Sequence, residues 1–247
     1  MNILRAYKAL GPVDSHSVRR DSLLRWFILT PVLQVLFFRF GLPIVSGLLM
    51  EQLAFDLLPY YSLINSFLYL IMPMMVGVVI GFLLLDQRDD NTLTALQVTP
   101  LSLSGYLAYR ISLPLLISFV LTILMVPLAG IEPVKPAAHL AAALCAAPLA
   151  PMFALFNATF AQNKVQGFAV IKASSVVSLP PMIAYFVQSG WQWLFGLIPT
   201  YWPVKVYWLL QAGSLLGWLA LVAGLAYEGF LLFLLLRWFN KVMHMGA

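Results

Sequence analysis

Residues Ser62 to Leu85 read SLINSFLYLIMPMMVGVVIGFLLL, 24 consecutive positions without a charged side chain. A helix rises about 1.5 Å per residue, so this stretch can cross the ~30 Å hydrocarbon layer of a bilayer, where every backbone polar group must be satisfied within the segment. Five similar stretches, approximately Leu23–Leu48, Tyr106–Ala129, Ala137–Phe160, Phe168–Gln188 and Ser214–Arg237, predict an all-α integral membrane protein with six transmembrane helices. Pro31, Pro73, Pro114, Pro148 and Pro180 lie inside these spans and predict kinks packed against neighbouring helices.

Composition agrees with that architecture. Of 247 residues, 62% are hydrophobic and only 9% charged, and the mean hydropathy is +0.92. A water-soluble protein carries about a quarter of its residues charged to keep its surface hydrated, so here the solvent of the surface is lipid. The net charge of +5 does not suggest nucleic acid, because the basic residues stand singly between apolar runs. Cys145, the single cysteine, rules out an intramolecular disulfide framework.

The basic residues set the orientation instead. Arg5, Lys8, Arg19, Arg20, Arg25, Arg88, Arg110, Lys164, Lys172, Arg237 and Lys241 fall on one side, against Lys135 and Lys205 on the other. Eleven against two places both termini in the cytoplasm. Residues 1–22 then form a cytoplasmic interfacial arm, too long and basic for a cleaved signal peptide, 23–239 the six-span domain and 240–247 a cytoplasmic tail. In the arm Ile3, Leu4, Tyr7 and Leu10 share a helical face opposite Arg5 and Lys8, the pattern of a helix lying along the headgroups. Gly11 and Pro12 are expected to break that helix, before a second basic stretch from Asp14 to Arg25 leads into the first span.

The segment after Leu85 runs DQRDDNTLTALQVTPLS from Asp86 to Ser102. Its carboxylates come first, where a helix N-terminus favours negative charge, and Pro100 supplies a stop. A helix of about two turns follows, with Leu93, Leu96 and Val98 forming an apolar face too small to bury in a core and too polar for lipid. Such a face calls for a protein partner.

This stretch resembles one in the membrane subunits of type-2 ATP-binding-cassette (ABC) exporters. Asp86, Thr92, Leu93, Leu96, Thr99, Pro100, Leu101 and Ser102 match that family's pattern in order and spacing, while Asn91 stands where glycine is usual. The resemblance implies that residues 86–105 hold a coupling helix that docks on an ATPase subunit, with Asp86, Asp89, Asp90, Asn91, Thr92, Leu93, Leu96, Thr99 and Pro100 at the docking surface. It further implies two copies of a P-loop ATPase carrying ATP and Mg, and a second permease chain, the same or homologous. No Gly-x-x-x-x-Gly-Lys-Ser/Thr motif occurs in the sequence, so ATP hydrolysis is expected in a partner subunit and no cofactor on this chain.

Residues 189–213, between spans five and six, hold Trp191, Trp193, Trp202 and Trp208, and are interrupted by Pro199 and Pro203. Interfacial aromatics with helix breakers predict a segment that dips into the outer leaflet as broken re-entrant helices. The run Pro199-Thr200-Tyr201-Trp202-Pro203 looks like the helices that close the outward exit in related exporters, which would make Pro199, Tyr201, Trp202 and Pro203 an exit gate.

Two ionisable residues fall well inside spans, Arg39 in the first and Glu228 in the sixth. Counted inward at about 1.5 Å per residue, their depths differ by roughly 6 Å, so the expectation is an ion pair, either on the substrate path or holding helices together without touching substrate, or else separate positions along a polar vestibule. Gly77 with Gly81, and Gly213 with Gly217, are small-xxx-small pairs that let helices approach closely. His16, His139 and His244 are too scattered for a metal site or a catalytic set.

The reading is a permease subunit of an ATP-driven exporter in a prokaryotic cytoplasmic membrane, moving lipophilic or amphipathic compounds such as drugs, antibiotics or lipids. The rivals are an ion-gradient-driven transporter, which would call for intramembrane carboxylates and an internal repeat, and a membrane assembly factor without transport.

Overall fold

The computed structural model describes residues 3–89, 103–187 and 189–245. Among them all regular structure is helical. Helix α1 is Ile3–Arg20, and span 1 follows as α2 (Ser22–Leu36), a π-helical turn at Phe37–Gly41 and α3 (Leu42–Leu53). Span 2 is α4 (Tyr61–Asp89) and span 3 is α5 (Leu103–Ala129). Span 4 divides into α6 (Pro136–Ala146) and α7 (Leu149–Phe160), and span 5 into α8 (Lys164–Ser174), a short 3-10 turn and α9 (Leu179–Phe186). A 3-10 helix at Gly190–Leu197 and α10 (Tyr201–Gln211) precede span 6, α11 (Leu216–Met245). Six of these helical stretches are long and apolar enough to cross a membrane.

The bundle is built around spans 2 and 4. Their apolar windows are 83% and 72% buried within the chain, against 11% to 22% for the other four. Glycine accounts for the intimacy of that pair. A Cβ added at Gly77 would stand 2.7 Å from both the Ala150 carbonyl oxygen and Phe153 Cβ, and one at Gly81 would stand 3.0 Å from the Asn157 amide. The small-residue pair of span 2 therefore seats α4 against α7.

The prolines behave unevenly. Pro31, Pro73 and Pro114 lie within continuous helices, whereas span 4 breaks at Ala147–Pro148. Pro151 has no N–H to offer the Ala147 carbonyl, which accepts instead from the Ala150 N–H at 3.2 Å and from the buried Ser118 hydroxyl of α5 at 3.1 Å. Span 1 is interrupted by its π turn, not by Pro31. Pro12 also fails to stop a helix, since α1 continues through it to Arg20. The expected break at Gly11–Pro12 is absent because α1 is held by tertiary contacts on both sides of Pro12: Ala6, Leu10 and Asp14 are buried on one face, and Leu4 is exposed.

Candidate functional site

The two feet of the 90–102 segment are α4 and α5, and α1 clamps both. Arg110 of α5 donates from Nη1 to Asp14 Oδ2 at 2.8 Å and from Nη2 to Asp14 Oδ1 at 3.1 Å, a two-pronged pair. Tyr109 donates its hydroxyl to Asp14 Oδ2 at 2.8 Å, and Gln87 of α4 donates to Asp14 Oδ1 at 3.1 Å. Tyr106 closes the ring by donating to Gln87 Oε1 at 3.1 Å. Arg110 is 1% exposed and Asp14 6%, so this network is buried. Tyr7 adds a hydroxyl contact to Ser112 at 2.8 Å and sets its ring edge-on to Tyr109.

A second cluster lies at the same end. Lys164 Nζ, at the start of α8, pairs with Asp21 Oδ2 at 2.5 Å and with Asp86 Oδ1 at 2.9 Å. Asp21 also caps α2 by accepting from the N–H groups of Leu23 and Leu24. Burial alone would raise the Asp21 carboxyl, but the Lys164 ammonium and the two N–H groups hold it below its ordinary value. Arg88 satisfies the last carbonyls of span 4, donating to Ala158 and Ala161.

Of the residues expected at the docking surface, Asp86 stands at this base, and Asp89 is the last residue of α4. Asp90, Asn91, Thr92, Leu93, Leu96, Thr99 and Pro100 lie outside the described residues.

At the opposite, far end, the segment between spans 5 and 6 forms the two short helices expected of it, separated at Ile198–Thr200. Tyr201 and Pro203 are buried, and Trp202 is half-buried with its Nε1 donating to the Gly196 carbonyl at 2.9 Å. Tyr227 of span 6 donates to the Leu197 carbonyl at 2.5 Å, and Thr200 to that of Val177. The ammonium of Lys205 is held by Gln192 Oε1 and lies 5.0 Å from the centroid of the Trp193 ring. Two residues further along α10, Tyr207 contacts Glu132 and accepts from Asn65 at 2.8 Å. The Tyr69 hydroxyl meets His139 Nδ1 at 2.8 Å.

Of the arrangements expected for Arg39 and Glu228, the ion pair is not the one present. Arg39 donates to the Leu128 carbonyl, near the far end of α5, at 2.9 Å. Glu228 is fully buried with neither oxygen hydrogen-bonded. The π turn that carries Arg39 packs beside α5, whereas α11 packs against α10, α7 and α6, so the two side chains face different neighbours.

Sequence reasoning missed the Asp14, Gln87, Tyr106 and Tyr109 contacts and took Arg110 for a topology charge. The available signal was Asp14 itself, one of two carboxylates in an otherwise basic arm. Among the described residues no group of His, Cys, Asp or Glu could hold a metal ion.

Comparison with known proteins places this architecture. No solved structure matches the chain. Two curated relatives, the fluoroquinolones export permease proteins MT2760 and Rv2686c of Mycobacterium tuberculosis strains CDC 1551 / Oshkosh and ATCC 25618 / H37Rv, are each 31% identical over 239 residues, covering 96% of this chain and 94% of theirs. The model of the family described as fluoroquinolones export permease protein Rv2686c-like matches residues 14–236. An export permease family agrees with the resemblance to type-2 ABC membrane subunits carried by Asp86 to Ser102. With six spans, a matching family model over most of its length and two such relatives, the chain belongs to the Rv2686c-like fluoroquinolone export permease family.

Proposed function

We propose that this chain is the membrane subunit of an ATP-driven exporter, working with a separate P-loop ATPase that binds ATP and Mg. Two ATPase copies and a second permease chain, the same or homologous, complete the assembly. It sits in the cytoplasmic membrane of a prokaryote with both termini inside, and moves lipophilic or amphipathic compounds outward. The relatives' names make fluoroquinolones the first compounds to test.

The observation that carries this reading is the buried Asp14–Arg110 pair and its Gln87, Tyr106 and Tyr109 partners. It ties the arm to both feet of the 90–102 segment, so a displacement of that segment by an ATPase is passed to spans 2 and 3 rather than absorbed locally. Span 2 then carries it into span 4 through the close contact at Gly77 and Gly81. At the far end, Pro199, Tyr201, Trp202 and Pro203 form the gate that this movement opens.

Purification of the tagged chain in mild detergent, with mass spectrometry of what accompanies it, tests the reading. Recovery of a P-loop ATPase whose activity rises with an exported compound is expected. A chain that purifies without any ATPase, and exports drug in cells depleted of ATP but holding an ion gradient, would overturn it.

A further inference from the structure

Glu228 is 0% exposed, and both carboxylate oxygens lack a hydrogen-bond partner. It stands about 18 Å along α11 from Leu216, deep within the span. The helices packed against α11 are α10, α7 and α6, and their only basic residues are Lys205 and His139. Both are engaged elsewhere. Lys205 is taken by Gln192 and the Trp193 ring, and His139 by the Tyr69 hydroxyl and the Ile123 carbonyl. Buried polar groups in native proteins have partners, and an intramembrane carboxyl marks a functional position by default. A carboxyl left unpartnered by every element around it points to a partner that is not part of the chain.

Its position says how such a partner reaches it. One turn towards the far end is Gly224, where an added Cβ would stand 2.8 Å from Trp202 Cβ and 2.9 Å from Cys145 Sγ. The neighbouring residue, Tyr227, holds the Leu197 carbonyl. The short helices between spans 5 and 6 thus rest on the turn of α11 that carries the carboxyl. Lifting them breaks the Tyr227–Leu197 bond and the Trp202–Gly224 contact, and uncovers Glu228 from the far side. On the other side Leu231, Leu232 and Leu235 pack against the core formed by Leu149, Met152 and Val204. One acid in apolar surroundings suits a ligand with an apolar body and a single positive charge.

We propose that Glu228 is the counter-charge for a protonated amine on the exported amphiphile and so determines specificity for compounds that bear such an amine over compounds that lack one. This assignment rests on the exporter reading above.

The test is binding to the purified full chain in lipid nanodiscs, using norfloxacin, which bears a protonated piperazine, and nalidixic acid, a related compound without a basic amine. The wild-type chain is expected to bind norfloxacin at least tenfold more tightly than nalidixic acid. Glu228→Gln should weaken norfloxacin at least tenfold without weakening nalidixic acid, and Glu228→Asp should keep most of the preference. Labelling of Glu228 in the wild-type chain by dicyclohexylcarbodiimide supplies a readout independent of any variant's folding, and norfloxacin but not nalidixic acid should protect the residue. Equal norfloxacin binding by Glu228→Gln, no binding of either compound by the wild type, or labelling indifferent to both would overturn the assignment. The exporter reading fails separately, through the absence of a co-purifying ATPase.

Discussion

Arg110 and Asp14 lie 96 positions apart in sequence and meet through two hydrogen bonds of 2.8 and 3.1 Å at the base of the bundle. Both are almost wholly buried, so neither can fall back on water when the other is removed. Removing one partner of a buried pair costs about 3–5 kcal/mol, whereas replacing both by apolar residues of similar volume is often neutral. Asp14→Ala should therefore lower stability by about 3 kcal/mol or more, and Asp14→Leu with Arg110→Met should recover most of it. Thermal unfolding of the detergent-purified variants measures both; an Asp14→Ala chain as stable as wild type would remove the pair from the account of how the arm is fixed.

Close approach of spans 2 and 4 makes a second demand on the sequence. At Gly77 a methyl group would meet backbone oxygen and a Cβ at 2.7 Å, contacts that only a shift of the helices can relieve. Overpacking of this kind costs about 1–3 kcal/mol, so Gly77→Ala should destabilise by that amount. Gly47 is the control, because nothing lies within 4 Å of a Cβ added there. If Gly47→Ala and Gly77→Ala shift the unfolding temperature equally, helix approach is not what Gly77 provides.

Arg39 and Glu228, though both within spans, share no partner. Changes at sites without shared partners add to within about 0.5 kcal/mol, so the losses in Arg39→Ala and Glu228→Gln should sum in the double variant. A double-variant cycle of unfolding free energies checks this. A coupling well above 1 kcal/mol would mean that the two charges meet in a state of the protein that counts towards its stability.

The six spans were legible because length and apolarity are local properties, and a bilayer imposes them on any segment that crosses it. The break in the Trp-rich segment was legible for the same reason, since Pro199 and Pro203 act on their own backbone. What escaped was decided at long range. Helix α1 runs through Pro12 because Leu10 and Asp14 dock on distant helices, and Arg110 reads as an orientation charge until Asp14 is seen against it. Span 1 is interrupted by a π turn at Phe37–Gly41 rather than at Pro31, and the sequence has no local marker for such a turn.

Asp21 gives the base of the bundle a pH dependence. Its carboxyl is held below the ordinary carboxylate value of about 3.9 by Lys164 and the start of α2, so its contribution is complete above that value and lost as pH falls through the lower folded-state value. The pair is partly exposed, with Lys164 at 31% and Asp21 at 19%, which limits its worth to about 0.5–1 kcal/mol. Asp21→Asn keeps an N-cap oxygen but not the charge, and should show a smaller loss of stability on acidification than wild type. Identical acid titrations of unfolding for the two chains would show that the Lys164 contact contributes nothing at this site.

The proposed drive from an ATPase makes the sharpest demand, and it falls on Leu93 and Leu96. In the docking reading these leucines form the apolar flank that seats in the ATPase, while the Asp14 network, which joins α1 to α4 and α5, belongs to the fold. Charging the flank should then separate coupling from stability. Leu93→Glu with Leu96→Glu should abolish compound-stimulated ATPase activity in the reconstituted assembly, leaving membrane insertion and the unfolding temperature within error of wild type. Asp14→Ala should do the reverse in order, losing stability first and coupling as a consequence. If the double leucine variant keeps full stimulation, the 90–102 segment is not where force enters the bundle. The buried clamp at its feet would then serve only to hold α1 in place.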